Sequence, residues 1–161
     1  NFKKGYKKMS KITREEILLA YACGHRDFSN MDLSGLNLNN AFLIGVNFIN
    51  VNLNKTKLKW AKLYNAKFSN ADLRGADLQG ANLREVDLSK TNLDEVNFGN
   101  VDLAHADLRG ANLINADFSD VVLYKADLQG ANLINVEFSG ANLSKANLIN
   151  VDLTKTYRNW I

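Results

Sequence analysis

One feature of this 161-residue chain overrides all others: it repeats every five residues. From Phe28 to Leu153 every fifth residue is Leu or Phe, at 26 consecutive positions. Two residues earlier sits a small side chain, which is Ala, Val or Thr in all 23 cases from Ala41 to Val151. The residue just before the Leu/Phe is Asp or Asn in 20 of 26 repeats, and the residue two after it is Gly or Asn in 16 of 26. A helix of 3.6 residues per turn would smear this pattern around its whole circumference. A long strand would alternate sides at every second residue. A short extended segment closed by a turn fits: the small residue and the Leu/Phe point inward, the Asp/Asn between them points outward, and the next two residues form a corner. A type II turn needs positive φ at its second central residue, which Gly and Asn tolerate best. Where Trp60, Glu85, Glu95, His105 or Asp120 fills that slot, a different turn type is expected.

The run Ala71-Asp72-Leu73-Arg74-Gly75 followed by Ala76-Asp77-Leu78-Gln79-Gly80 resembles the A(D/N)LXX pattern of the pentapeptide-repeat family. The resemblance covers about four-fifths of the chain. It implies an all-β fold: a right-handed, quadrilateral (four-sided) parallel β-helix with four pentapeptides per coil. The phenylalanines give separate support for a 20-residue coil. Phe28, Phe48 and Phe68 are spaced by 20, as are Phe98, Phe118 and Phe138, offset by ten from the first set. Two Phe stacks on opposite walls follow, in a rod roughly 30 Å long at the usual strand spacing. The opening Tyr21-Ala22-Cys23-Gly24-His25-Arg26-Asp27-Phe28 is similar to the start of the repeats in cyanobacterial members.

A solenoid leaves its core open at both ends. Thr13-x-x-Glu16 matches a capping box and Ile12 with Ile17 a hydrophobic staple, so a short N-terminal capping α-helix is expected over residues 13–25. Ile17, Leu18 and Tyr21 should lie on the first coil, with Cys23 packed beside them. Residues 1–12 read as a flexible segment, part of it preceding a natural start at Met9; residues 26–156 form about six and a half coils. Tyr157, Trp160 and Ile161, in the tail over residues 157–161, should cover the last coil or meet a second subunit.

Catalytic chemistry is scarce. His25 and His105 are the only histidines and stand 80 residues apart, so they share no site. Cys23-x-His25 lacks further metal ligands, and no phosphate loop or nucleophile motif is present. The expectation is therefore no enzyme, no cofactor and no metal. No stretch reaches the length of a membrane span, no signal peptide is visible, and a single Cys rules out an internal disulfide; the expected compartment is the cytoplasm.

Three surface features remain. Phe42, Ile44, Tyr64, Val122 and Tyr124 break the polar pattern at outward positions of one wall and form a candidate interaction surface. Exposed apolar clusters mark partner or homodimer contacts. Lys55, Lys57, Lys59, Lys62 and Lys67 form a candidate basic girdle beside Trp60. Asp87, Asp107 and Asp127, spaced by 20, form a candidate acidic column whose ordinary role is to bond nearby backbone. The repeats from Arg26 to Thr156 carry 13 basic and 15 acidic residues, so direct nucleic-acid binding is not expected. The leading expectation is a non-catalytic scaffold that binds an unidentified protein partner. The alternative comes from the family resemblance: some members mimic DNA and bind DNA gyrase, modulating the topoisomerase and protecting it from quinolones. The near-neutral rod, the lysines and the lack of a long C-terminal helix depart from that pattern.

Overall fold

Every backbone N–H must find an acceptor when a wall is buried on one side, and the pentapeptide supplies five solutions in turn. In Ala71–Gly75 the Ala71 N–H closes the preceding corner on Phe68 O (2.8 Å), and the Asp72 N–H reaches back one coil to Val51 O (3.0 Å). The Leu73 and Gly75 N–H groups reach forward one coil to Asn92 O and Asp94 O, each at 2.9 Å. That leaves Arg74, whose N–H donates to the Asp72 side chain at 3.2 Å. The outward Asp/Asn therefore completes the wall's own hydrogen bonding. The same bond forms at 19 of the 20 Asp/Asn positions.

The computed structural model describes residues 11–157. Within it the repeats wind as a right-handed, four-sided β-helix. Successive coils pair in parallel, every pairing offset by 20 residues, from Asp27–Asn47 to Asp127–Asn147. The first wall carries Phe28, Phe48 and Phe68, and the third carries Phe98, Phe118 and Phe138. Their ring centroids stack 5.9 and 5.3 Å apart on the first wall and 4.9 and 5.4 Å apart on the third. The second wall is built on Leu33, Leu53 and Leu73, the fourth on Leu43, Leu63 and Leu83, all buried. Each buried Leu or Phe contributes about 1.5–3 kcal/mol. Thr56 and Thr91 replace Ala or Val in the inner layer without orphaning a hydroxyl, because each donates to a carbonyl of the coil before it, Leu33 O (3.1 Å) and Phe68 O (2.9 Å).

The corners differ from expectation. All 25 of them, Asn30 to Asn150, hold positive φ between +55° and +70°, including Trp60, Glu85, Glu95, His105 and Asp120. No change of turn type occurs at these five residues. The reason is energetic. Each corner N–H must still reach the next coil, as Trp60 does to Gln79 O (3.0 Å), and the following N–H must close the turn, as Ala61 does on Leu58 O (3.1 Å). The left-handed penalty of about 1–2 kcal/mol is smaller than the loss of both bonds and of the coil register.

Helix α1, Arg14–Ala22, caps the first coil, and its Thr13/Glu16 capping box is formed. Ile12, Ile17 and Ala20 are buried, with Leu18 and Tyr21 packed against the core. Cys23 is exposed, contrary to expectation. It is the C-cap residue, so helical spacing no longer aims it at the core. Gly24 follows at φ +89°. At the far end a 3-10 turn, Leu153–Lys155, closes the described repeats. Tyr157 does not cover the last coil: its N–H continues the ladder to Val136 O (3.1 Å) and its side chain is 59% exposed. Trp160 and Ile161 lie outside the described residues.

Candidate interaction surface

The hydrogen-bonding role of Asp/Asn gives its absences meaning. Six repeats lack it: Phe42, Lys62 and Val122 on the fourth wall, Lys57 and Glu137 on the third, and Lys67 on the first. Half of the departures thus fall on one wall, which also holds Ile44, Tyr64 and Tyr124 at its other outward position. Phe42, Tyr64 and Val122 are exposed there, while Ile44 and Tyr124 are half-buried.

Helix α1 takes up the upper part of this wall. The Tyr21 hydroxyl donates to Ile44 O (2.9 Å), and the Tyr21 ring meets Phe42 edge-on with centroids 6.5 Å apart. The Arg26 guanidinium lies over the same Tyr21 ring, 3.7 Å from its centroid. Between α1 and the first coil a groove of about 360 Å³ remains, lined by Arg14, Leu18, Tyr21, Ala22, Ala41 and Phe42. One coil below Ile44, Tyr64 donates to the Glu85 carboxylate (2.7 Å), and this bond to an acid raises the phenol pKa above its ordinary value. Three coils further on, Tyr124 meets His105 edge-on at 5.7 Å, with the Lys125 and Lys145 ammonium groups 5.4 and 5.6 Å from its ring centre. The wall is therefore two patches, an upper one beside α1 and a lower one around Val122 and Tyr124.

The basic girdle is spread over three walls. Lys57 and Lys59 stand on the third, Lys62 on the fourth, Lys67 on the first, and Lys55 at the corner between the second and third. Lys59 is neutralised by Asp77 (3.2 Å) and bonds Gln79 (2.9 Å). Among the described residues no carboxylate is within ion-pair distance of Lys55, Lys57, Lys62 or Lys67. Trp60 stands among these lysines. It sits 53% exposed at the corner joining Lys57 and Lys59 to Lys62, and lies over Gly80, where an added Cβ would collide with the indole. The sequence marks it as a Trp in a slot otherwise favouring Gly and Asn.

Asp87, Asp107 and Asp127 do stack in successive coils. Each is occupied, however. Asp87 accepts from the Ser89 N–H (2.9 Å) and hydroxyl (2.6 Å) and from the Ser69 hydroxyl. Asp107 takes two side-chain bonds from Arg109, at 2.9 and 2.5 Å, which hold its carboxyl below the usual carboxylate range. Asp127 accepts from Asn147 (2.9 Å) and lies 3.9 Å from the same Arg109. With Lys67 standing above Asp87 on the ladder, the first wall is a mixed surface and not a negative strip. Among the described residues no group of three or more His, Cys, Asp and Glu is placed to hold a metal ion, and no helix is long and apolar enough to cross a membrane.

The repeat chemistry and the coil geometry agree with comparison to known proteins. Two family models, described as a pentapeptide repeat region and as pentapeptide repeats (8 copies), match residues 25–98 and residues 97–133 and 122–157. The chain belongs to the pentapeptide-repeat family. Among solved structures, a trypsin-treated variant of QnrB1, a plasmid-mediated fluoroquinolone resistance protein, is 23% identical over 81% of this chain, with a TM-score of 0.75. The match spans 66% of that protein, just under two thirds of its length. Full-length QnrB1 is also 23% identical, over 81% of this chain and 78% of its own, with a TM-score of 0.57. These two likenesses bear on the fold. Rfr23, from the cyanobacterium Cyanothece 51142, is 30% identical over 73% of this chain and 88% of its own, with a TM-score of 0.34. Comparison with curated proteins gives no match. Pentapeptide-repeat proteins are generally non-catalytic structural repeat proteins, and this chain is a pentapeptide-repeat scaffold.

Proposed function

We propose that this pentapeptide-repeat scaffold is a non-catalytic protein-binding module whose partner lies along the fourth wall. One observation carries the reading. Asp or Asn at the outward position caps the wall's own N–H, so each fourth-wall replacement forgoes a bond worth about 0.5–1.5 kcal/mol, whereas on the third wall the Lys59 N–H finds the Asn39 side chain instead (2.9 Å). Three of the six replacements fall on the fourth wall, and two of those three leave a large apolar side chain exposed. Stability alone favours Asp/Asn there, whereas an interface favours bulky apolar anchors.

The test returns the wall to the repeat, with Phe42→Asn, Lys62→Asn and Val122→Asn combined. The variant is expected to stay folded and to lose the protein that the unaltered chain captures from cells. Unchanged capture by the folded variant would refute the reading.

A gyrase-binding reading is kept as the alternative because a fluoroquinolone resistance protein shares the fold. Arg109 across the acidic column and Lys67 at its head argue against DNA mimicry. Inhibition or quinolone protection in a supercoiling assay, abolished when Asp87, Asp107 and Asp127 are replaced by Lys, would favour the alternative.

A further inference from the structure

Three separate departures from the repeat meet at the corner between the third and fourth walls. The first is a side chain. Trp60 shares the φ of about +60° that every corner holds, but it puts an indole, 53% exposed, in a slot where Gly and Asn predominate, and a bulky residue is the least favoured choice there. The second is shape. Phe42, 60% exposed, stands one step up the ladder from Lys62 and forms the lip of the groove under α1, whose other apolar walls are Leu18, Ala22 and Ala41. The third is charge. Lys57 and Lys62 flank Trp60 in sequence and are exposed, with no carboxylate in ion-pair reach among the described residues. Arg14 adds a cation at the groove's side, its guanidinium fixed on Asn37 O (2.7 Å) and Asn39 O (3.1 Å). Of the neighbouring acids, Glu16 is engaged with the Thr13 N–H, Asp77 with Lys59 and Glu85 with Tyr64, while Glu15 stands exposed beside Arg14 on α1.

We infer that this corner binds an acidic peptide segment of another protein. A bulky apolar side chain of that segment enters the groove beside Phe42, its backbone crosses Trp60, and its carboxylates meet Lys57 and Lys62. The inference rests on the protein-binding reading and narrows it to one edge and one class of partner. Charge selects the occupant. A second copy docked two-fold on this corner would bring the same cations against themselves. The chain's own first ten residues carry Lys3, Lys4, Lys7 and Lys8 and no acid, so their sequence offers none of the carboxylates this corner calls for. A nucleic acid would gain little, because its phosphates have no use for an apolar groove and two free lysines release few counterions.

The experiment titrates the full chain into a fluorescein-labelled peptide in which a Phe-Leu pair is flanked by glutamates, reading anisotropy and tryptophan emission. Saturable binding that weakens with added salt is expected. Lys57→Glu with Lys62→Glu should weaken it about tenfold or more, as should Trp60→Asn or Phe42→Asn, while Ile134→Asn on the second wall should leave it unchanged. The lysine variants alter exposed positions, so their folding is not at issue. No saturation, equal binding of the peptide with Gln for Glu, or tighter binding of a single-stranded oligothymidine would each overturn the inference. If the peptide fails while the restored fourth wall still loses its cellular partner, the corner assignment is wrong and the scaffold reading stands.

Discussion

Asn97 offers the sharpest test of why the outward position is Asp or Asn. Its side-chain oxygen accepts the N–H of Gly99 at 2.9 Å, and Gly99 is a buried residue. Asn97→Ala removes the acceptor from the N–H of a residue buried in the wall. An unsatisfied buried donor costs about 1–3 kcal/mol. For a chain of this length the middle of that range corresponds to a fall of about 4–8 °C in Tm. Asn132→Ala is the matched control on the second wall: its bond to the Ile134 N–H is long, 3.4 Å, and Asn132 is exposed, so water replaces the lost acceptor. Its cost should stay below about 0.5 kcal/mol. Urea and thermal unfolding followed by far-UV circular dichroism would measure both. If the two variants fall within experimental error of each other, the Asp/Asn is not a backbone cap. The significance given to Phe42, Lys62 and Val122 would then be lost with it.

Four further outcomes follow from the same geometry. Gly80→Ala should destabilise through both its left-handed φ of +68° and the Trp60 indole above it, whereas in a Trp60→Asn background only the φ cost remains; a double-mutant cycle should show coupling of about 1 kcal/mol. Phe118→Ala, in the middle of a buried stack, should cost about 3–5 kcal/mol, and Phe42→Ala about 1 kcal/mol or less, by denaturant unfolding. Thr13→Ala removes half of the capping box and should cost about 1 kcal/mol, seen as faster amide exchange confined to α1. The carboxyls of Asp72 and Asp107 are lowered by their Arg74 and Arg109 partners. A depressed folded-state pKa gives stability that is present above the unfolded value, about 4, and is lost as pH falls through the lowered one. Stability should therefore drop on acidification below about pH 4, and Asp107→Asn should flatten that slope in acid titrations of the unfolding midpoint.

The architecture was legible because one five-residue rule fixes side-chain direction, corner and coil at once. The Phe spacing alone places both aromatic stacks. What the sequence hid were consequences of the coil as a whole. Residue preference at the corners of Trp60, Glu85, Glu95, His105 and Asp120 pointed to altered turns, but each corner is overruled by bonds to its neighbours in the ladder. Cys23 escaped because the helix ends under it, and Tyr157 because the ladder runs on through its backbone. The 20-residue spacing of Asp87, Asp107 and Asp127 implies their stacking but not their neutralisation, since Arg109 bonds Asp107 within its own repeat and reaches Asp127 one coil away. The groove beneath α1 has no sequence signature, because it arises where a helix meets a flat wall.

The central claim, that partners meet the fourth wall, is tested most directly by site-specific photo-crosslinking in cell extract. A photoreactive residue would replace Tyr64 or Val122 on the fourth wall, and Ile114 or Ile134 on the second. Covalent protein adducts from Tyr64 and Val122, with none from Ile114 or Ile134, are predicted. Adducts from the second wall alone, or from neither, would contradict the account.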